Sequence, residues 1–428
     1  MQSKEIIILG AGLAGLSTGW YLKERKKRFI IFEKEKEVGG LSRSKKIGNF
    51  IFDYDGHLLH FRNKEIYNLV INSLGLKLIR HQRKSFVSFQ KRQIDYPFQA
   101  NFRLLGGEIA KQCLEGLIAA EHKKNKVHKD FRSWIYSSFG KGISRYFMFP
   151  YNEKFWNFPL SKMSCDWLNG LIPLIKSSEI LNNSPLKLSS IGYNTFFYYP
   201  KEGIFSLPSR FQDCLYRNIY VNNFITSIDI RNKKITTNSK DKFYYRKLVT
   251  TIPLPELKNI IRNLPLQISR LIDLLNYNSL LVFNIGYKTS KPPNKHWIYF
   301  PDKKISFFRV GFYHSFSKIM APVGCGSLYS EVSYHKTDAI NKEEIKRRVL
   351  EDLVEEGIIP SLGNIICCDT IDIKYAYPIY DFNYKKAVSK IVNFLSANDI
   401  YSIGRYGSWK YMSMEDALLA GKEMARKL

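Results

Sequence analysis

The run from Glu5 to Glu33 constrains this chain most, because it reads as strand, glycine-rich turn, helix and second strand in unbroken succession. Ile6-Ile-Ile-Leu9 is the short apolar run that a buried strand requires. Gly10-Ala-Gly12-Leu-Ala-Gly15 follows at once, and Leu16 to Arg25 has amphipathic helical spacing. Each glycine has a physical task. Gly10 makes the tight turn, Gly12 lets backbone approach a pyrophosphate, and Gly15 lets the helix pack on the strand. The helix N-terminus then offers free N–H groups to negative charge. Arg28-Phe-Ile-Ile-Phe32 supplies the second strand, and Glu33 stands where a ribose hydroxyl needs an acceptor. A lone glycine fingerprint is weak; in this context it predicts a nucleotide-binding α/β unit.

With 428 residues and 45% hydrophobic content, the chain can bury at least two cores. Its six cysteines show no Cys-x-x-Cys spacing, which argues against a zinc site or a disulfide framework and suggests buried thiols in a reducing compartment. The apolar run near the start is too short for a signal peptide, and no later run approaches the ~18 residues of a membrane span, so a cytoplasmic protein is expected. Lys and Arg exceed Asp and Glu by 66 to 38, a net charge of +28. The excess is spread through the chain and carries no nucleic-acid motif. It favours an anionic substrate and allows peripheral contact with acidic lipid headgroups.

Beyond Glu33, the segment Glu33-Lys-Glu-Lys-Glu-Val-Gly39-Gly40-Leu-Ser-Arg43 resembles the double-glycine motif of the FAD family that includes amine oxidases, protoporphyrinogen oxidase and UDP-galactopyranose mutase. The resemblance implies FAD, with Gly39 and Gly40 passing close to the nucleotide and Arg43 near the diphosphate. The far end of the chain matches as well. Ile400-Tyr-Ser-Ile-Gly404-Arg405 reads as a strand stopping at glycine, and Ser413 to Lys427 as a helix with Ser413 as N-cap and Asp416 completing a capping-box variant. In the family, Gly404, Arg405 and the Met412-Ser413-Met414 turn close the flavin site. Ile225 is a backbone contact near the adenine by the same resemblance. The implied fold is α/β: a discontinuous Rossmann-like FAD-binding domain (1–85, 200–260, 391–428) with an inserted helical substrate domain (86–199) and an antiparallel-sheet one (261–390).

Four stretches are similar to the mutase branch. Gly404-Arg405 replaces the Asp usual in the oxidases. Asp55-Gly56-His57-Leu-Leu-His60 resembles a segment whose later His sits beside the flavin; a neutral His60 would tune the ring system, while His57 reads equally as structural and no third metal ligand is apparent. Phe147, Tyr151 and Trp156 coincide with residues that sandwich the uracil and cover the sugar, although aromatics at helical spacing are equally a core pattern. Gln99 replaces an Asn of the same site. Arg309, Tyr377 and Tyr380 match positions that bind the diphosphate and substrate, against the alternatives of a surface ion pair and a sheet-edge Tyr.

Two departures stand out. The mutase's second diphosphate Arg is replaced near Lys176, a point charge without the bidentate fork. Tyr198-Tyr-Pro200-Lys-Glu-Gly203 is nearer the oxidase version. The mutase resemblance implies pyranose–furanose ring contraction of a nucleotide sugar for surface polysaccharide, through an adduct at N5 of reduced FAD, with Arg309, Tyr377 and Lys176 restraining the diphosphate in a protein that is often dimeric. The alternative is an FAD-dependent oxidoreductase of the amine oxidase type.

Overall fold

The computed structural model describes residues 3–123, 128–168, 170–182 and 195–428. Strand Ser3–Leu9 lies at the centre of an eight-stranded sheet, parallel to Phe29–Phe32 on one side and to Lys242–Thr250 on the other. Ile400–Ser402 joins Lys242–Thr250 in parallel, and Ile225–Asp229 and Lys234–Thr237 extend the sheet as an antiparallel pair. The central strands carry apolar side chains on both faces because helices cover both, the pattern that parallel sheets require. Ile6 and Ile8 face one core and Ile7 and Leu9 the other.

Helix Leu13–Glu24 begins three residues before the apolar spacing suggests, since Gly12 serves as its N-cap. It packs against helix Met414–Lys427, with Ser17 Oγ donating to Leu418 O at 2.6 Å. The approach is close enough that a Cβ on Gly421 would stand 2.5 Å from Ala14 O. Three separated stretches of chain thus build one sheet-and-helix unit.

The second sheet runs in the order Ile365–Pro378, Tyr277–Lys288, Cys325–His335, Arg309–Phe312, Trp297–Tyr299, Ser85–Phe89, Arg92–Asp95. Its two expected alternating runs, within Tyr277–Lys288 and Cys325–His335, pair antiparallel over their full length.

The structure departs from the expected helical stretch 86–199 at both ends. The hairpin at 85–95 belongs to the second sheet, and Phe196–Pro200 pairs with Leu78–Gln82. Between them, helices Gly107–Glu121 and Phe131–Ile143 cross in contact at glycines: a Cβ on Gly140 would overlap Gly116 O at 1.8 Å. Residues 124–127, 169 and 183–194 of that stretch lie outside those described. Helices Leu266–Asp273 and Tyr384–Ala397 bury Ile272, Ala387, Ile391 and Leu395 in the core beneath the first sheet. The nucleotide unit accordingly takes in chain beyond residue 260 and before residue 391.

Candidate functional site

At the C-terminal ends of the parallel strands a cavity of about 1600 Å³ opens between the two sheets. That exceeds the roughly 300–1,000 Å³ usual for one drug-sized ligand, and is room for a cofactor with a substrate beside it. One end is built from the glycines. Gly10 sits at φ +97°, and a Cβ there would meet Thr251 Oγ1 at 2.2 Å; one on Gly15 would meet Gly10 O at 2.0 Å. Gly12, by contrast, would direct a Cβ into open space with nothing within 4 Å. Its bare backbone therefore faces the cavity, as close approach of a pyrophosphate demands. Gly39 N–H donates to Ala11 O at 2.8 Å, and Gly40 at φ +60° lies against Gly12.

The acidic residue after the second strand is fixed by backbone amides. Glu33 is buried; Oε2 accepts Ala11 N–H at 2.6 Å and Oε1 accepts Glu35 N–H at 3.0 Å, which leaves lone pairs for a ribose hydroxyl. Ile225 and Arg43 also line the cavity, with Arg43 Nε donating to Gly40 O at 2.7 Å. The Met412–Met414 turn closes the same end. Ser413 Oγ accepts Asp416 N–H at 3.1 Å while Asp416 Oδ2 accepts Ser413 N–H at 2.9 Å, so the helix presents its remaining N–H groups toward the cavity. Gly404 at φ +77° turns the chain over Ala14, and Arg405 Nη2 donates to Ala376 O at 2.8 Å. Arg405 Nε is buried without a partner among the described residues. The bare glycine backbone, the fixed carboxylate and the unpaired Arg405 donor together fit an adenine dinucleotide with an anionic diphosphate.

The other end carries the candidate chemistry. His60 Nδ1 contacts Phe196 O at 3.1 Å and His57 Nδ1 contacts Asp55 O at 3.0 Å. Each Nδ1 must carry the hydrogen to donate to a carbonyl, so each Nε2 is left as an acceptor. Burial pushes both imidazoles below their ordinary pKa, keeping them neutral. Arg309 pairs across the sheet with Glu331, which takes Nη2 on Oε1 at 2.7 Å and Nε on Oε2. Tyr377 reaches the cavity beside Arg405, whose guanidinium lies 4.7 Å from its ring centroid, and burial pushes its phenol up. Tyr380 also lines the cavity, its hydroxyl accepting Tyr411 N–H at 2.6 Å.

Five expected substrate residues are not brought to this wall. Phe147 and Tyr151 stack on each other at 5.2 Å and 9°, and Phe98 continues the stack beneath Phe147 at 5.0 Å and 9°. A base inserted between two rings needs ~7 Å of separation, about 3.5 Å for each layer, so this pair forms core and leaves no slot. Trp156 is buried in the same core. Gln99 is turned inward, with Nε2 donating to Pro173 O at 2.9 Å. Lys176 is exposed and off the cavity, its backbone N–H held by Glu179 at 2.8 Å. The indole on the cavity is that of Trp167, 5.0 Å from Trp156. Tyr299 also reaches the wall, propped by Tyr151 at 5.4 Å. No motif marks Tyr299, Trp167 or Glu331; alternation along their strands is the only sequence signal for the first and last.

The family model for Flavin containing amine oxidoreductase matches residues 13–361, and the chain belongs to that flavoprotein family. Among its relatives, UDP-galactopyranose mutase of Mycoplasma genitalium is 22% identical over 100% of this chain and 95% of its own. Mitochondrial protoporphyrinogen oxidase of Nicotiana tabacum is 24% identical over 163 residues, which is 35% of this chain and only 32% of that protein. A crystal structure of reduced UDP-galactopyranose mutase superposes with a TM-score of 0.92 at 26% identity, covering 99% of this chain and 93% of the other. The Rossmann-like α/β fold and the flavin family expected from the resemblance of the double-glycine motif are thereby established.

Proposed function

We propose that this chain is an FAD-dependent mutase of nucleotide sugars that interconverts the pyranose and furanose forms of the sugar, in the service of surface polysaccharide. The observation that carries the reading is whole-chain similarity to reduced UDP-galactopyranose mutase at a TM-score of 0.92. The cavity chemistry agrees with it. Gly12, Glu33, Gly39, Gly40 and the helix at Met414 would hold the FAD, which in its reduced form would supply a nucleophile for the anomeric carbon. The chain's own residues restrain the leaving diphosphate. Arg309 offers a guanidinium, Tyr377 adds a neutral donor, and Tyr299 and Trp167 line the same cavity. His60, held neutral by burial, would stand at the flavin edge without adding charge.

The closed Phe147–Tyr151 stack and the outlying Lys176 favour a second reading, an oxidoreductase of the amine oxidase type. Incubation of the dithionite-reduced protein with UDP-galactose and related nucleotide sugars, followed by chromatography, separates the two. A furanose product formed only after reduction supports the mutase. Reduced protein inert to every nucleotide sugar, with oxidised flavin bleached by an amine or a porphyrinogen, would discard it.

A further inference from the structure

Two consecutive residues of helix Phe149–Trp156, behind the cavity wall, are bound to the two elements that carry Arg309 and Tyr377. The first is Lys154. An ammonium has three donors, and Lys154 Nζ gives all three to backbone: Phe300 O at 2.9 Å, Asp302 O at 2.7 Å and Phe307 O at 2.6 Å. These carbonyls belong to the loop 300–308, which joins strand Trp297–Tyr299 to strand Arg309–Phe312 and closes directly on the facing pair Tyr299 and Arg309. A lysine that only carried surface charge would meet water or a carboxylate; one that gathers three carbonyls of a single loop fixes the shape of that loop. Glu153 adds a tie from the same helix, accepting Lys303 Nζ of the loop at 2.7 Å.

The second residue is Phe155. Its carbonyl accepts Asn278 Nδ2 at 2.7 Å, and Oδ1 of the same fully buried amide accepts Tyr377 N–H at 3.1 Å. The pairing of strands Tyr277–Lys288 and Ile365–Pro378 shifts just there: Asn278 faces Tyr377 while Leu280 faces Ile373. Bulges of this kind re-aim side chains, and within this one Ala376 O accepts Arg405 Nη2 at 2.8 Å. Ring packing repeats both ties. Phe155 lies 4.7 Å from Tyr377 and 5.3 Å from Phe308, the neighbour of Arg309.

We propose that Lys154 and Asn278 are positioning residues for the diphosphate: through them helix Phe149–Trp156 sets the places of Arg309 and Tyr377 on one cavity wall. The inference rests on the nucleotide-sugar reading of the cavity and deepens it. The helix serves the site from behind, although its Tyr151, closed on Phe147, leaves no slot for a base.

The test is a pair of double-mutant cycles in the turnover of UDP-galactose by dithionite-reduced holoenzyme, each variant checked for flavin content. Burial pushes the Lys154 ammonium down to about 7. The assays are therefore run at about pH 6, where it holds its third hydrogen. Lys154→Met keeps the apolar stem and removes the donors, and kcat/KM should fall by up to ~10²-fold. In an Arg309→Lys background, with no fork left to aim, the further loss should shrink to within about threefold. Asn278→Ala should behave likewise against Tyr377→Phe, where no hydroxyl is left to place. Lys154→Arg, whose planar fork cannot converge on three carbonyls, carries the first cycle if Lys154→Met does not retain flavin. A loss that multiplies in full in either cycle means that the tie acts on stability alone, and overturns the proposal. Wild-type kcat/KM in a Lys154 variant overturns it as well. Wild-type enzyme that turns over neither UDP-galactose nor related nucleotide sugars removes the nucleotide-sugar reading itself, and the inference with it.

Discussion

The glycine cradle and the aromatic stack behind the opposite wall obey different constraints. In the cradle, position is dictated by backbone sterics: Gly10, Gly15 and Gly404 sit where a Cβ would meet another atom at 2.0 to 2.8 Å. Only one residue type satisfies such a place, so the sequence carries the geometry. In the stack, Phe98, Phe147, Tyr151 and Phe155 are held by side-chain packing, with successive centroids 5.0, 5.2 and 6.2 Å apart. Flat rings stack equally well on each other or on a base, and the same residues serve either purpose. A fingerprint made of glycines therefore transfers between relatives with its function, whereas one made of aromatics transfers only its shape.

The contrast can be broken first at Gly15. Gly15→Val would force the helix off the turn, at a cost above ~4 kcal/mol, and the purified protein should show no flavin absorbance. Stoichiometric flavin in that variant would mean that the cradle tolerates what its geometry forbids. Next comes Arg309→Lys, which keeps the charge and loses the fork: kcat/KM should fall by ~10²–10³ with flavin content unchanged. Phe147→Ala sharpens the comparison from the other side. As core it should cost ~3–5 kcal/mol and lower the thermal midpoint by several degrees, leaving KM for a nucleotide sugar within about threefold of wild type. A large KM increase with unchanged melting would instead make the stack a platform that opens for a base. Lys176→Ala should do least, within ~0.5 kcal/mol in stability and without effect on turnover, because the side chain is exposed and off the cavity.

Legibility in the sequence follows the same division. The strand–turn–helix unit and the Ser413 cap were readable because they depend on contacts a few residues apart or on a φ that glycine alone accepts easily, the acid at Glu33 by its place after the second strand, and the Gly39-Gly40 turn by resemblance. Arg309, Tyr377 and Arg405 could be singled out by resemblance, and the fold brings all three to one cavity. Their partners were not readable. Glu331 meets Arg309 only through strand register. The direction of Gln99 and the closure of Phe147 on Tyr151 depend on how the helices at 98–182 fill their shared interior, which local spacing does not specify. The hairpin at 85–95 escaped because its first strand pairs with Trp297–Tyr299, about two hundred residues downstream.

The contact of helix Leu13–Glu24 with helix Met414–Lys427 has a consequence for biosynthesis. Helix Leu13–Glu24 is made well before the surface around Gly421 that packs on its Ala14 and Ser17, the partners of its Ser17 hydrogen bond being 401 residues apart. Until that segment is made, the helix lacks its cover and the first sheet lacks Ile400–Ser402. Closure of the cavity at the Met412–Met414 turn therefore depends on chain that lies about four hundred residues from the glycine turn on the same cavity.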